Sequence, residues 1–210
     1  MSLVYDVIRA VRVTLVLWVL VAVIYPILIL AVGQVAFPEQ ANGSLITNDQ
    51  GRVIGSTLIG QPFSSDRYFN SRPSTTNYSS ANPHNDTAEI LKTGISGASN
   101  LAPSNPALLD RIQGNATANP AIVGDLAKLQ QAGIQPTADL IYTSGSSLDP
   151  HITPEAARAQ ITRIAQARKL QPERLEDLIR QNIKGRSWGI FGEPSVNVLQ
   201  LNLSLDNISP

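Results

Sequence analysis

The chain has 210 residues, of which 16 are basic and 16 acidic, so its formal net charge is zero. That length holds one ordinary domain plus an appendage but not two full domains, and the charge balance argues against a general nucleic-acid binder. With no cysteine in the chain, a disulfide scaffold, a zinc–thiolate site and a cysteine nucleophile are all excluded.

Charged residues make up only 15% of the chain, against about 25% in soluble domains, and the deficit is concentrated at one end. Residues 13–38 carry no charge and centre on Leu15-Val-Leu-Trp-Val-Leu-Val-Ala-Val-Ile-Tyr-Pro-Ile-Leu-Ile-Leu-Ala-Val32. A membrane-spanning helix needs about 20 apolar residues, and this run supplies them. A secretory signal has an apolar core of about 7–15 residues, so the length points to a retained anchor over residues 13–37. Arg9 and Arg12 precede the span, and the first cation after it is Arg52. The positive-inside rule then predicts a cytoplasmic segment 1–12 and an extracytoplasmic domain 38–210. That domain has 14 basic and 15 acidic residues, a net charge of −1, and no bias towards anionic lipid. Tyr25-Pro26 sits inside the span, where proline removes a helix hydrogen bond. It marks either a tolerated kink or a surface shaped for a partner's helices, with Trp18, Tyr25 and Pro26 as candidate partner-binding residues.

Beyond the span, segments 44–47 and 52–59 flank Asn48-Asp-Gln-Gly51, the pattern of a hairpin. Residues 61–105 are dominated by Ser, Asn, Thr, Gly and Pro. The interspersed Phe63, Tyr68, Phe69 and Tyr78 argue for a long ordered loop laid over a core. Four helices are predicted next. Asn105-Pro106 opens the first, through about Gln113, and Asn119-Pro120 the second, through about Ala132. Thr153-Pro154-Glu155 opens the third, with the stripe Ala157, Ile161, Ile164 and Ala165. Gln171-Pro172-Glu173 opens the fourth, with Leu175, Leu178, Ile179 and Ile183 inward and Gly185 as its C-cap. Ala138–Tyr142 reads as a central strand. The alternation of Leu199, Leu201, Leu203 and Leu205 with polar residues reads as a half-buried strand from Val196 to Leu205. The fold class is therefore α+β, a single N-terminal transmembrane helix followed by one mixed domain.

Few motifs suggest chemistry. His84 and His151 are the only histidines, too few for a histidine metal site. Ser144, Ser146, Asp149 and His151 lie close in sequence, as a serine hydrolase would need, but no Gly-x-Ser-x-Gly elbow exists. No phosphate-loop motif occurs either. The most unusual segment is Thr143-Ser-Gly-Ser-Ser-Leu-Asp-Pro-His-Ile-Thr-Pro154. It offers backbone N–H groups near a helix N-terminus, a candidate anion site built from Ser144, Gly145, Ser146, Asp149 and His151. The same residue types also make a turn, with a left-handed residue at Gly145, an Asp149-Pro150 turn and a Thr153 cap.

Four blocks of the sequence resemble the C subunit of the Kdp potassium-transporting P-type ATPase. They are the span with Tyr25-Pro26 and Phe37-Pro-Glu-Gln-Ala-Asn-Gly-Ser-Leu45, then Gly55-Ser-Thr-Leu-Ile-Gly-Gln-Pro-Phe63 with Tyr68-Phe69 and Ser71-Arg-Pro-Ser74. Ser99-Asn-Leu-Ala-Pro-Ser-Asn-Pro106 is the third. The last joins Asp139-Leu140, Ser144-Gly-Ser-Ser-Leu-Asp-Pro-His151 and Gly192-Glu-Pro-Ser-Val-Asn-Val-Leu-Gln-Leu-Asn-Leu203. Ser147 and Ser71 stand where the family usually has Gly, Thr153 where it usually has Ser, and the segment from 124 to 135 is longer than in many relatives. The resemblance implies a non-catalytic accessory subunit in the bacterial inner membrane. Its partners would be a P-type ATPase subunit and a channel-like K⁺-binding subunit, which handle the K⁺. It also implies a need for this subunit in assembly, and a role in raising the pump's apparent ATP affinity, with ATP as the implied cofactor. Lys92-Thr-Gly94 has Leu91 where a phosphorylatable aspartate would stand, so this chain cannot form an aspartyl phosphate there. A membrane-anchored periplasmic hydrolase or ligand-binding module is the alternative.

Overall fold

The computed structural model describes residues 2–81, 84–87, 89–115 and 119–208, so positions 82, 83 and 88 of the predicted long loop lie outside the described residues. The chain divides into two units between Ile54 and Gly55. The first is dominated by a helix running from Leu3 to Ala36, apolar and long enough to cross a membrane. It consists of α1 (Ser2–Val19), a π turn (Leu20–Ile24) and α2 (Tyr25–Ala36). The π turn has a local cause. Pro26 offers no N–H, and its ring would press on the carbonyl one turn back. The helix widens instead, and the Tyr25 N–H reaches the Leu20 carbonyl five residues earlier. A short α3 (Pro38–Ala41) follows.

The predicted hairpin is present as β1 (Leu45–Thr47) paired with β2 (Val53–Ser56). Asn48 shapes its turn, its Oδ1 accepting from the N–H of Gln50 and of Arg52.

The second unit holds a small antiparallel sheet covered by helices. β5 (His151–Ile152) and β6 (Ile183–Lys184) flank β7 (Ser195–Asn197). Ile152 and Ile183 both pair with the fully buried Val196. The helices packed around this point are α8 (Pro154–Arg158), α9 (Ile161–Arg168), α10 (Pro172–Asn182) and α11 (Val198–Asp206). Their inward faces supply Ala156, Ala157, Ile164, Leu175, Ile179, Leu201 and Leu205 to the core. The loop anchors expected from the sequence join them. Phe69 is completely buried, Tyr78 nearly so, and Phe63 and Tyr68 pack against the core from its edge.

The helix opened by Asn105 is α5 (Pro106–Gln113), with the Asn105 side chain accepting from the Ala107 N–H. Five expectations are corrected. Residues 119–132 are not one helix: β4 (Asn119–Val123) pairs with β3 (Gly114–Asn115), and α6 (Asp125–Gln131) begins only after Gly124. At Gly124 a Cβ would lie 2.3 Å from backbone atoms of Gln113 and Gly114, so the chain can pass this close between β4 and α6 only as glycine. The third helix is two, because the Gln160 side chain turns inward and bonds to the Asn70 and Ala156 carbonyls at the break. Ala138–Ile141 is a one-turn helix, α7, rather than a strand. Gly185 is not a C-cap, since α10 passes directly through Ile183 into β6.

The fifth correction is the largest. The segment from Val196 to Leu205 is strand only to Asn197 and helix thereafter. Asn197 ends one and starts the other, its side chain accepting from the Gln200 N–H as an N-cap. Val198, Leu199, Leu201, Asn202 and Leu205 are buried, and 198, 201, 202 and 205 recur at helical spacing, whereas Leu203 is only half-buried. The leucine alternation is compatible with either geometry, and the cap decides. Truncating two leucines separates the two descriptions. Leu201→Ala is expected to cost about 3 kcal/mol through cavity formation, and Leu203→Ala under about 1.5 kcal/mol for its partial burial. Denaturant unfolding of the full chain in detergent measures both, and equal losses would restore the strand.

Candidate functional site

The Thr143–Pro154 segment connects α7 to α8 and contains β5. Its serine hydroxyls are engaged within the segment and with the long loop, although Ser146 itself is exposed. Ser144 and Ser147 are buried. The Ser144 hydroxyl lies 3.2 Å from that of Ser146 and accepts from the Ser146 N–H at 3.3 Å. The Ser146 hydroxyl accepts from the Leu148 N–H at 3.1 Å. The Ser144 N–H donates to the Pro73 carbonyl at 3.1 Å. The segment thus closes on itself and on the long loop, the arrangement of hydroxyl-capped turns. His151 Nδ1 sits 3.3 Å from Asp149 Oδ1, and its backbone N–H donates to the same oxygen at 3.0 Å. No serine hydroxyl among the described residues bonds to His151, so the nucleophile–base contact of a serine hydrolase is not formed.

The left-handed residue of the turn is Ser147, with φ 63°, and not Gly145. That corrects the expectation of a left-handed Gly145. An L-residue in this conformation is strained, and here it has compensating partners. The Ser147 hydroxyl donates to the Gly97 carbonyl and meets the Thr75 hydroxyl, while its carbonyl accepts from Ser74 Oγ at 2.7 Å. The Ser96 hydroxyl and the Gly97 N–H both donate to the Ser146 carbonyl. Gly145 has open space on its Cβ side.

Arg72, which the sequence did not single out, ties the segment together. Its guanidinium lies 3.2 Å from Asp139 and 3.6 Å from Asp149. Asp139 Oδ2 also accepts from the Thr153 N–H at 2.7 Å, and Thr153 caps α8 through the Ala156 N–H. One cation thus links the one-turn helix, the serine segment and the cap of the next helix. The only sequence signal for it is the Ser71-Arg-Pro-Ser74 block. Burial pushes the Asp149 carboxyl up. The bonds from the His151 side chain and backbone, with the charges of His151 and Arg72, outweigh that and hold it below the ordinary carboxylate value. Tyr78 lies alongside, its hydroxyl donating to the Arg72 carbonyl. Burial, reinforced by the Asp149 charge and opposed by Ser71 and Arg72, pushes its phenol up to about 12. Gly60 must be glycine, because a Cβ there would lie 2.4 Å from the Tyr78 ring.

Beside the segment is a cavity of about 180 Å³ lined by His151, Lys184, Asn182, Asn197 and Gln200. Small-molecule sites usually enclose about 300–1,000 Å³, so it is too small for a nucleotide. Trp18, Tyr25 and Pro26 lie outside this unit, all exposed on the apolar helix, with Tyr25 and Pro26 directly after the π turn.

Two outcomes test this geometry. Ser147→Ala keeps the strained backbone and loses the hydroxyl bonds, and is expected to destabilise the chain by about 1–2 kcal/mol. Ser147→Gly relieves the strain while losing the same bonds, and should be milder by about 1 kcal/mol. Equal losses in thermal unfolding would remove the strain argument. Asp149→Asn should cost about 1 kcal/mol at neutral pH, a figure reduced for the solvent-exposed third of the side chain. Because the folded carboxyl titrates below its unfolded value, wild type keeps this advantage in full above the ordinary carboxylate pKa. The advantage disappears as pH falls through the lowered folded value. Unfolding free energies against pH check the sign.

Residues 7–207 match the family described as KdpC, K⁺-transporting ATPase, c chain. The potassium-transporting ATPase KdpC subunit 1 of Nostoc sp. is 64% identical over 210 residues, covering 100% of both chains. The KdpC subunit of Microcystis aeruginosa is 64% identical over 203 residues, 96% of this chain and 95% of its own. That of Dechloromonas aromatica is 44% identical over 200 residues, 95% and 96% respectively. A match over nearly the whole length of chain and relatives leaves one assignment: the chain belongs to the KdpC family and is a subunit of a K⁺-transporting ATPase complex.

Proposed function

We propose that this chain is a non-catalytic accessory subunit, anchored in the bacterial inner membrane by its N-terminal helix with residues 1–12 cytoplasmic and 38–210 extracytoplasmic. It holds the complex of a P-type ATPase subunit and a channel-like K⁺-binding subunit together, and it raises the pump's apparent ATP affinity by linkage rather than by touching ATP. The observation that carries this reading is the internal saturation of the Ser144–His151 segment. Its hydroxyls and the N–H groups of residues 144 and 146–149 bond to the segment itself or to the long loop. Two carboxylates, Asp139 and Asp149, already neutralise Arg72 beside it. A phosphate arriving there would meet negative charge and few open donors. The positive-inside bias of Arg9 and Arg12 supports a topology that puts the segment on the side of the membrane where ATP is scarce.

The test is an intact complex carrying Ser146→Ala with Asp149→Ala, assayed for K⁺-stimulated ATPase against ATP concentration. The apparent ATP affinity is expected to stay within about twofold of wild type, under half a kcal/mol, while omission of the chain abolishes stimulation. A tenfold loss of affinity in an assembled complex would establish direct nucleotide contact through Ser144, Gly145, Ser146, Asp149 and His151.

A further inference from the structure

The hairpin between β6 and β7 ends in a feature that the proposed function does not use. Residues 184–194 are all exposed. At the tip, Trp188 is 91%, Ile190 70% and Phe191 61% exposed. Three adjacent large apolar side chains in water are unfavourable, and the loop is built to keep them there. Ser187 and Phe191 exchange backbone hydrogen bonds at 2.8 and 3.0 Å. Arg186 grips both oxygens of Glu193 at 3.0 and 2.8 Å across the base. Trp188 and Phe191 meet edge to face, with centroids 6.3 Å apart. Trp188 also has φ 54°, a left-handed conformation that disfavours any residue with a side chain. Apart from its edge-to-face contact with Phe191, the ring stands in solvent, so little within the described residues offsets that strain.

We propose that residues 186–193 form a preformed apolar knob that docks into an uncharged, apolar socket on another subunit of the K⁺-transporting complex. This rests on the accessory-subunit reading. Two observations select that occupant. If each exposed side chain offers roughly 150–250 Å² when fully open, the tip presents about 330–560 Å². That is well short of the ~800 Å² per partner of a stable interface, so two copies of this chain could not hold together by it. It serves as an anchor within an association held elsewhere, and the exposed apolar helix over Leu3–Ala36 is the other holding element on the chain. Charge argues against lipid as the occupant. Arg186 and Glu193 neutralise each other at the base of the knob, and residues 38–210 carry a net charge of −1, so nothing draws the tip to anionic headgroups. A rigid Trp–Phe pair with an arginine at its rim has the composition of a protein interface anchor.

The experiment places the photocrosslinking residue benzoylphenylalanine at position 188 of the full chain, expressed with the other subunits, and irradiates native membranes. The expected product is this chain joined to a named subunit of the complex, identified by mass spectrometry. The same probe at the exposed Arg180 on α10 should give far less of it. Crosslinks to lipid or to a second copy, or none from an active complex, overturn the proposal. In parallel, Trp188→Ser with Phe191→Ser should reduce co-purification in mild detergent at least fivefold without lowering the unfolding temperature of the chain. If wild type co-purifies and this variant does so equally well, the knob is refuted and the accessory-subunit reading stands. If wild type itself does not co-purify with an ATPase subunit, both fail.

Discussion

A polar, irregular segment can belong to a folded core only if its buried backbone groups find partners. Here two side-chain amides supply them. Asn202, buried on α11, accepts from the Phe69 N–H and donates to the Phe69 carbonyl, at 2.9 and 3.0 Å. Gln160, fully buried at the break between α8 and α9, does the same for Asn70, at 2.7 and 3.2 Å. Each amide imitates a strand neighbour where no strand exists. The Phe69 ring can then be wholly buried although it lies on a loop. The Arg163 guanidinium adds bonds to the Ser65 and Tyr68 carbonyls. Burial pushes its pKa down, against the pull of Asp66. Arg72, two residues beyond Asn70, is thereby delivered to Asp139 and Asp149. Without these amides the serine segment would have no wall to lean on.

The sequence was most legible where a short-range signal had one meaning. Asn105 and Thr153 cap helices as expected, and Asn48 and Gly51 turn the hairpin. The apolar run at the N-terminus forms a helix of membrane-spanning length. It misled where the pattern had two. Leu199, Leu201, Leu203 and Leu205 alternate like a strand, yet the 198, 201, 202 and 205 positions fit a helix equally, and the Asn197 cap carries the deciding information. Asn119-Pro120 imitates a helix start, but the passage of β4 against the backbone of residues 112–114 at Gly124 is a tertiary demand that no local pattern encodes.

The site was legible in part for the same reason. Ser144, Ser146, Asp149 and His151 were found as a cluster, and the structure does bring them together. Their meaning depends on residues far away in sequence. Pro73 occupies the Ser144 N–H, Thr75 and Gly97 occupy Ser147, and Arg72 binds the carboxylate. A loop rich in hydroxyls looks like a binding site until its partners are counted. Ser147 shows a further point. Its backbone holds a left-handed angle that glycine would adopt without strain, and its hydroxyl makes bonds a glycine could not.

The π turn in the N-terminal helix has a consequence for the membrane. Pro26 has no N–H to give, so at least one carbonyl in the preceding turn loses its ordinary partner inside the helix. In the hydrocarbon layer, water is not at hand to answer it. At this level the span offers a backbone carbonyl as an acceptor to a neighbouring helix. It joins the polar groups of Thr14, Trp18, Tyr25 and Gln34 as a point where a neighbouring helix could recognise this chain by something other than shape.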